Sequence, residues 1–143
     1  MTDPNALADD PLARLPGYLL RRAANAMMTD LAARLAVIDL RISDASVLLL
    51  IAGRSDMTSS EIGRVLEIQR ANMVPLLNRL ESAGLIERRP LDRKSQAIGL
   101  SAAGEQCLAV VRNVTDTFEE HLLARIPAQH RAHFVPALMA LLA

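Results

Sequence analysis

Four side chains in one stretch, Arg70, Asn72, Asn78 and Arg79, are of the types that read or hold a nucleic acid. An asparagine amide can pair bidentately with adenine, and an arginine fork with guanine or a phosphate. A little further on, Arg88, Arg89, Arg93 and Lys94 stand against Asp92 alone within residues 88–94, four basic groups to one acidic. Basic side chains on a hairpin tip can enter a minor groove or hold phosphates. Taken alone, such a cluster is usually a solvated face. The elements that carry it decide between the two.

Other chemistry is thin. His121, His130 and His133 lie near Glu119 and Glu120, and His130 and His133 are three apart, a spacing that can put both on one helical face for a metal. No third ligand stands at a matching offset. No Gly-rich phosphate loop, nucleophile elbow or paired-acid constellation appears. No enzyme activity, metal or cofactor is therefore expected. The single cysteine, Cys107, cannot form an internal bridge. A cysteine-based redox switch is one alternative, but Cys107 falls beside Leu108 in a helical stretch without a close basic neighbour, where cysteine acts as a small apolar group.

The 143 residues fit one domain, with 51% hydrophobic and 22% charged side chains, which argues against global disorder. Sixteen basic and sixteen acidic residues cancel, so no global field steers the chain toward a polyanion. Fifteen of the basic residues are Arg, whose planar fork suits phosphates and carboxylates, although codon usage alone can produce that bias. The longest apolar run, 47–52, is far short of the roughly 20 residues that cross a bilayer. Residues 1–10 carry Asp3, Asp9 and Asp10 and no basic start of a signal peptide. A cytoplasmic protein without a membrane partner is expected.

Apolar residues recur at helical spacing over 16–38, through Leu20, Ala24, Met27, Leu31, Leu35 and Ile38, with Pro16 in the first turn. Ser43 can cap a second helix, apolar almost all round, which runs to Ala52 and stops at Gly53. Thr58-Ser-Ser-Glu61 is a capping box, and the short helix that it opens turns Ile62, Val65 and Leu66 inward. After a break at 67–69, a longer helix faces Met73, Leu76, Leu77 and Leu80 inward until Gly84. The period then changes from 3.6 to 2: two extended runs, 85–90 and 95–100, flank a polar turn at 91–94. Ser101 caps a long helix over 102–125 with Leu108, Val111, Thr115, Phe118 and Leu122 along one face; Pro127 stops it, and a last helix covers 129–142.

Two helices across a tight turn and then a β-hairpin is the order of a winged helix-turn-helix, in which the second helix enters the major groove. Gly63 falls where the two helices should cross. The stretches RANMVPLLNRLESAGLIERRP (70–90) and DRKSQAIGLSAAG (92–104) strongly resemble the MarR family of bacterial regulators. The fold class implied is mainly α with a small β-wing, a winged helix-turn-helix flanked by N- and C-terminal dimerisation helices. Residues 1–42 and 102–143 would dimerise and 58–100 would read DNA. The resemblance implies a homodimer on a pseudo-palindromic operator, commonly a repressor released by a small aromatic or phenolic carboxylate or its CoA thioester. Activation stays open.

Two departures from the family pattern matter. Pro75 stands where many relatives carry a DNA-contacting Arg, so either the helix effectively starts near Asn72 or it bends, and reading shifts toward Gln69, Arg70, Ala71 and Asn72. The hairpin is short, with Lys94 in place of a common wing-tip Arg. The DNA-facing set is then Gln69, Arg70, Ala71, Asn72, Pro75, Arg79, Arg88, Arg93 and Lys94. For the effector, Tyr18, Arg21 and Arg22 adjoin an apolar stripe; an Arg could hold a carboxylate, Met27 and Leu48 could line the cleft, and His121 or His133 could join. Arg21 and Arg22 could equally be solvated or make dimer salt bridges. Dimerisation would bury Leu12, Leu15, Phe134, Leu138 and Leu142. The remaining alternative is a winged-helix protein-interaction module without DNA binding.

Overall fold

The computed structural model describes Leu7 and residues 9–143; residues 1–6 and 8, which open the segment expected to dimerise and include Asp3, lie outside the described residues. The order is α1 (Pro16–Ala36), α2 (Ile42–Ile51), α3 (Ser59–Leu66), α4 (Arg70–Ser82), β1 (Ile86–Pro90), β2 (Gln96–Leu100), α5 (Ala102–Arg125), a 3-10 turn (Ala128–His130) and α6 (Arg131–Leu142). This is the expected mainly helical winged architecture.

Local chemistry accounts for most boundaries. Thr58 and Glu61 close the capping box reciprocally, each backbone N–H donating to the other's side-chain oxygen at 3.3 Å. Ser101 Oγ accepts the Gly104 N–H at 3.0 Å and starts α5. Gly53 and Gly84 take the left-handed conformation that ends α2 and α4. At α2 the expected cap is corrected: Arg41 holds the N-cap position, and Asp44, not Ser43, accepts its N–H at 2.8 Å.

The core gathers on α2, whose Val47, Leu48 and Ile51 are wholly buried. Leu35 of α1, Ile62 of α3, Met73, Leu77 and Leu80 of α4, Ile98 of β2 and Val111 of α5 close around it. The inward position expected for Val65 is corrected, since it is 53% exposed while Ile62 and Gly63 turn in. In a helix of eight residues only a narrow stripe can face the core.

β1 and β2 pair antiparallel, Ile86 opposite Leu100 and Pro90 opposite Gln96. The segment before α3 adds a bridge to the hairpin, with Ile98 N–H donating to the Met57 carbonyl at 2.7 Å. No helix among the described residues is long and apolar enough to cross a membrane.

Candidate nucleic-acid interface

α3 and α4 cross at Gly63, as its sequence position led us to expect. A Cβ there would lie 3.0 Å from the Ile68 carbonyl oxygen and 3.2 Å from Met73 Cγ. The same turn is closed by the Ile68 N–H, which donates to the Gly63 carbonyl at 2.8 Å. Glu67, in left-handed conformation, reverses the chain between the helices. The close crossing sets the angle at which α4 projects.

α4 starts at Arg70 with Gln69 as N-cap, so Pro75 is its sixth residue. Of the two alternatives for Pro75, a helix that starts near Asn72 is set aside: one helix runs from Arg70 through Pro75 to Ser82. Pro75 lacks the N–H that would bond the Ala71 carbonyl. Gln69, Arg70, Ala71, Asn72, Val74, Pro75 and Asn78 are all exposed.

Two cations expected to be free for DNA are engaged within the protein. Arg79 donates to Oδ1 of Asp44 through Nη2 at 2.5 Å and Nε at 3.2 Å. It lies on the flank of α4 that faces α2, where a buried carboxylate requires a partner. Arg88 donates from Nε to Glu81 Oε2 at 2.7 Å and from Nη2 to Asn78 Oδ1 at 3.0 Å, which ties β1 to α4. By contrast Arg64, Arg70, Arg93 and Lys94 are exposed and make no ion pair among the described residues.

The wing tip is held by Asp92. Its Oδ1 accepts the Lys94 N–H at 2.8 Å and the Ser95 N–H at 2.9 Å, and these bonds hold its carboxyl below the ordinary carboxylate range. Arg93 and Lys94 project from this turn. A cleft of about 510 Å³ separates the wing from the start of α3, with Ser59, Ser60, Arg88, Arg93 and Lys94 on its walls. A second, of about 490 Å³, runs between α3 and α4 past Arg64, Gln69 and Arg70. Cations thus line both grooves beside α4.

The residues expected to hold an effector separate. Tyr18 Oη donates to Asp10 Oδ2 at 2.6 Å and accepts from Arg22 Nη1 at 2.7 Å; the Asp10 carboxyl is lowered, first by the Tyr18 bond. Arg21 and Arg22 lie 5.6 and 5.7 Å from the Tyr18 ring centroid. Met27 is half-buried further along α1, and His133 is exposed on α6. His121 Nδ1 sits 3.1 Å from Arg34 Nη2, so this nitrogen accepts. Leu48 is wholly buried in the core and is not among the residues on the walls of the two clefts above. Sequence reading missed Asp44 and Glu81 as partners, because each meets an Arg only after the helices pack. Cys107 is half-buried, and burial pushes its thiol up, away from the reactive thiolate.

Along nearly its whole length the chain is similar to the transcriptional repressor CouR bound to a 23-mer DNA duplex. They share 30% identity over 92% of this chain and 94% of that one, with a TM-score of 0.80. A model of the MarR family matches residues 38–95. The chain belongs to the MarR family. A second MarR-family structure, a Mycobacterium tuberculosis protein in complex with salicylic acid, is 25% identical over 94% of this chain and 98% of that one, with a TM-score of 0.71. Transcriptional regulator HosA of Escherichia coli O157:H7 is 31% identical over 68 residues, 46% of this chain. That match spans about half the length of the curated relative. The MarR winged helix accounts for the element order, the hairpin and the long flanking helices seen here.

Proposed function

We propose that this protein is a homodimeric, sequence-specific transcriptional regulator. It represses from a pseudo-palindromic operator and leaves it when an aromatic or phenolic carboxylate, or its CoA thioester, binds. The observation that carries the reading is the placement of charge. In a chain with no net charge, four exposed cations without an ion pair among the described residues, Arg64, Arg70, Arg93 and Lys94, lie on α3, α4 and the wing. Phosphate contacts supply most of the affinity for a duplex, and four such side chains per subunit give eight in a dimer. The likeness to CouR bound to a duplex supports DNA binding here; in a winged helix-turn-helix the second helix, here α4, would enter the major groove, with the wing beside it, and we assign the protein to the cytoplasm.

Dimerisation is supported by the uncovered apolar surface. α6 has no buried residue, and Leu12 and Leu15 before α1 are exposed. Segments 1–42 and 102–143 are the parts we assign to the dimer. An aromatic acid as effector is supported by the relative holding salicylic acid and by Arg21, which stacks on Tyr18 without an acidic partner among the described residues. Arg21 would hold the carboxylate.

The test is a salt series of binding to the DNA flanking its own gene, repeated with a panel of aromatic acids. Log affinity should fall with log salt at a slope of about −0.9 per neutralised phosphate, and one acid should release the duplex. Absence of duplex binding at low salt refutes the reading. Salt-sensitive binding that no acid relieves refutes its effector part.

A further inference from the structure

α4 presents its buried residues, Met73, Leu76, Leu77 and Leu80, to the core. Its outward stripe is therefore Ala71, Val74, Pro75 and Asn78, spaced i, i+3, i+4 and i+7, and all four are exposed. Three of the four are apolar. Val74, at 57% exposed, is the largest of them.

Two polar groups on and beside this stripe, Asn78 and Arg79, are committed within the protein, while the exposed Gln69 and Asn72 on its flanks make no side-chain hydrogen bond among the described residues. Asn78 gives its amide oxygen to Arg88, and since a guanidinium only donates, the amide is fixed with its NH2 outward. Its NH2 is left to donate to a base, while the oxygen needed for the two-way contact with adenine is already turned to Arg88. Arg79 is held by Asp44. Arg64 and Arg70 flank the stripe in the groove between α3 and α4, where they suit phosphates, which carry no sequence information directly. An exposed apolar stripe flanked by free cations matches one feature of a major groove, the C5 methyl of thymine, which is the apolar group that base edges present there.

We propose that α4 draws part of its base preference from thymine methyl groups packed on Ala71, Val74 and Pro75, with the Asn78 amide donating to an adjacent acceptor. This rests on the DNA-binding reading above and adds to it the chemistry by which sequence is chosen.

The experiment removes the methyl and nothing else. A duplex enriched from a random-sequence pool by rounds of binding to the full chain is remade with deoxyuridine for thymidine, one position at a time. At one or more positions in each half-site the wild-type protein should lose about fourfold in affinity, the worth of one buried methyl-sized group. Val74→Ala or Pro75→Ala should bind the thymidine duplex correspondingly less well and no longer distinguish it from the deoxyuridine duplex at that position. Both side chains are exposed, so thermal melting should show each variant folded. An enriched duplex bound equally with and without every methyl overturns the proposal, as does undiminished discrimination in both variants. Failure to enrich any duplex overturns the DNA-binding reading itself, and the two failures are thereby distinct.

Discussion

Arg79 on α4 lays its guanidinium on one carboxylate oxygen of Asp44, thirty-five residues away on α2, while the other oxygen accepts the Arg41 N–H. Asp44 is the one buried charged residue among those described. A carboxylate out of water needs its hydrogen bonds filled, and Arg79 together with the start of α2 fills them. α2 also packs on α1 and α5, so the pair fastens α4 to the flanking helices.

Replacing Arg79 by Met leaves Asp44 buried with half its partners. Breaking a fully buried pair costs about 3–5 kcal/mol, but Arg79 is 36% exposed, so a loss of about 2 kcal/mol is expected in denaturant unfolding. Affinity for DNA should fall because α4 is less well placed, with the slope of log affinity against log salt unchanged. A slope reduced by about 0.9 would make Arg79 a phosphate ligand instead.

The Asp92 carboxyl is held below its ordinary value of 3.8 because its charged form accepts the Lys94 and Ser95 N–H groups. A carboxyl lowered by folding contributes stability above its ordinary value and loses it as pH falls through the lowered one. The wing tip should therefore stay ordered through pH 4 and loosen only below 3.8. The Lys94 and Ser95 amide resonances, followed by NMR on acidification, check this. Asp92→Ala should show the loosened wing already at pH 7, and movement of both amides at pH 5 in the wild type would disprove the assignment.

What the sequence made legible was local. A capping box needs residues three apart, a period needs a dozen, and so α3, α5 and the hairpin stand within a residue or so of where the pattern put them. The contacts that select which polar side chains stay free are non-local. Asp44 reads as a first-turn acid of α2 until α4 packs against it, and Arg88 reads as a free wing cation until β1 brings it to Glu81 and Asn78. Tyr18 and Arg22, one helical turn apart, were legible as neighbours; Leu48 was not separable from a pocket wall because an all-apolar helix does not say which side meets the core.

Gly104 packs the start of α5 against Leu85 and Leu100. A Cβ there would fall inside the contact distance of the Leu85 carbonyl oxygen, which already accepts the Ser101 N–H at 3.1 Å, and would press on Leu100. Backbone cannot yield as a flexible side chain does. Gly104→Ala should therefore destabilise by about 3 kcal/mol despite alanine's better helix propensity, lowering Tm by roughly 10 °C in calorimetry. An unchanged Tm would mean that α5 can slide along β1 without cost.

The apolar side chains of α6 test the dimer. Val135, Met139, Leu141 and Leu142 are more than half exposed in the single chain, and Phe134 and Leu138 only half-covered. A two-fold interface meets every substitution twice. Met139→Lys would bury two unpaired ammonium groups, each costing about 1–3 kcal/mol, so the dimer dissociation constant should rise at least about thirtyfold. Sedimentation equilibrium over a range of concentrations reads this directly. Because Met139 belongs to no buried cluster, the monomer should keep its helical circular dichroism. Binding to a palindromic duplex should then lose the gain from linking two half-sites. A variant that stays dimeric with wild-type affinity would place the interface away from α6.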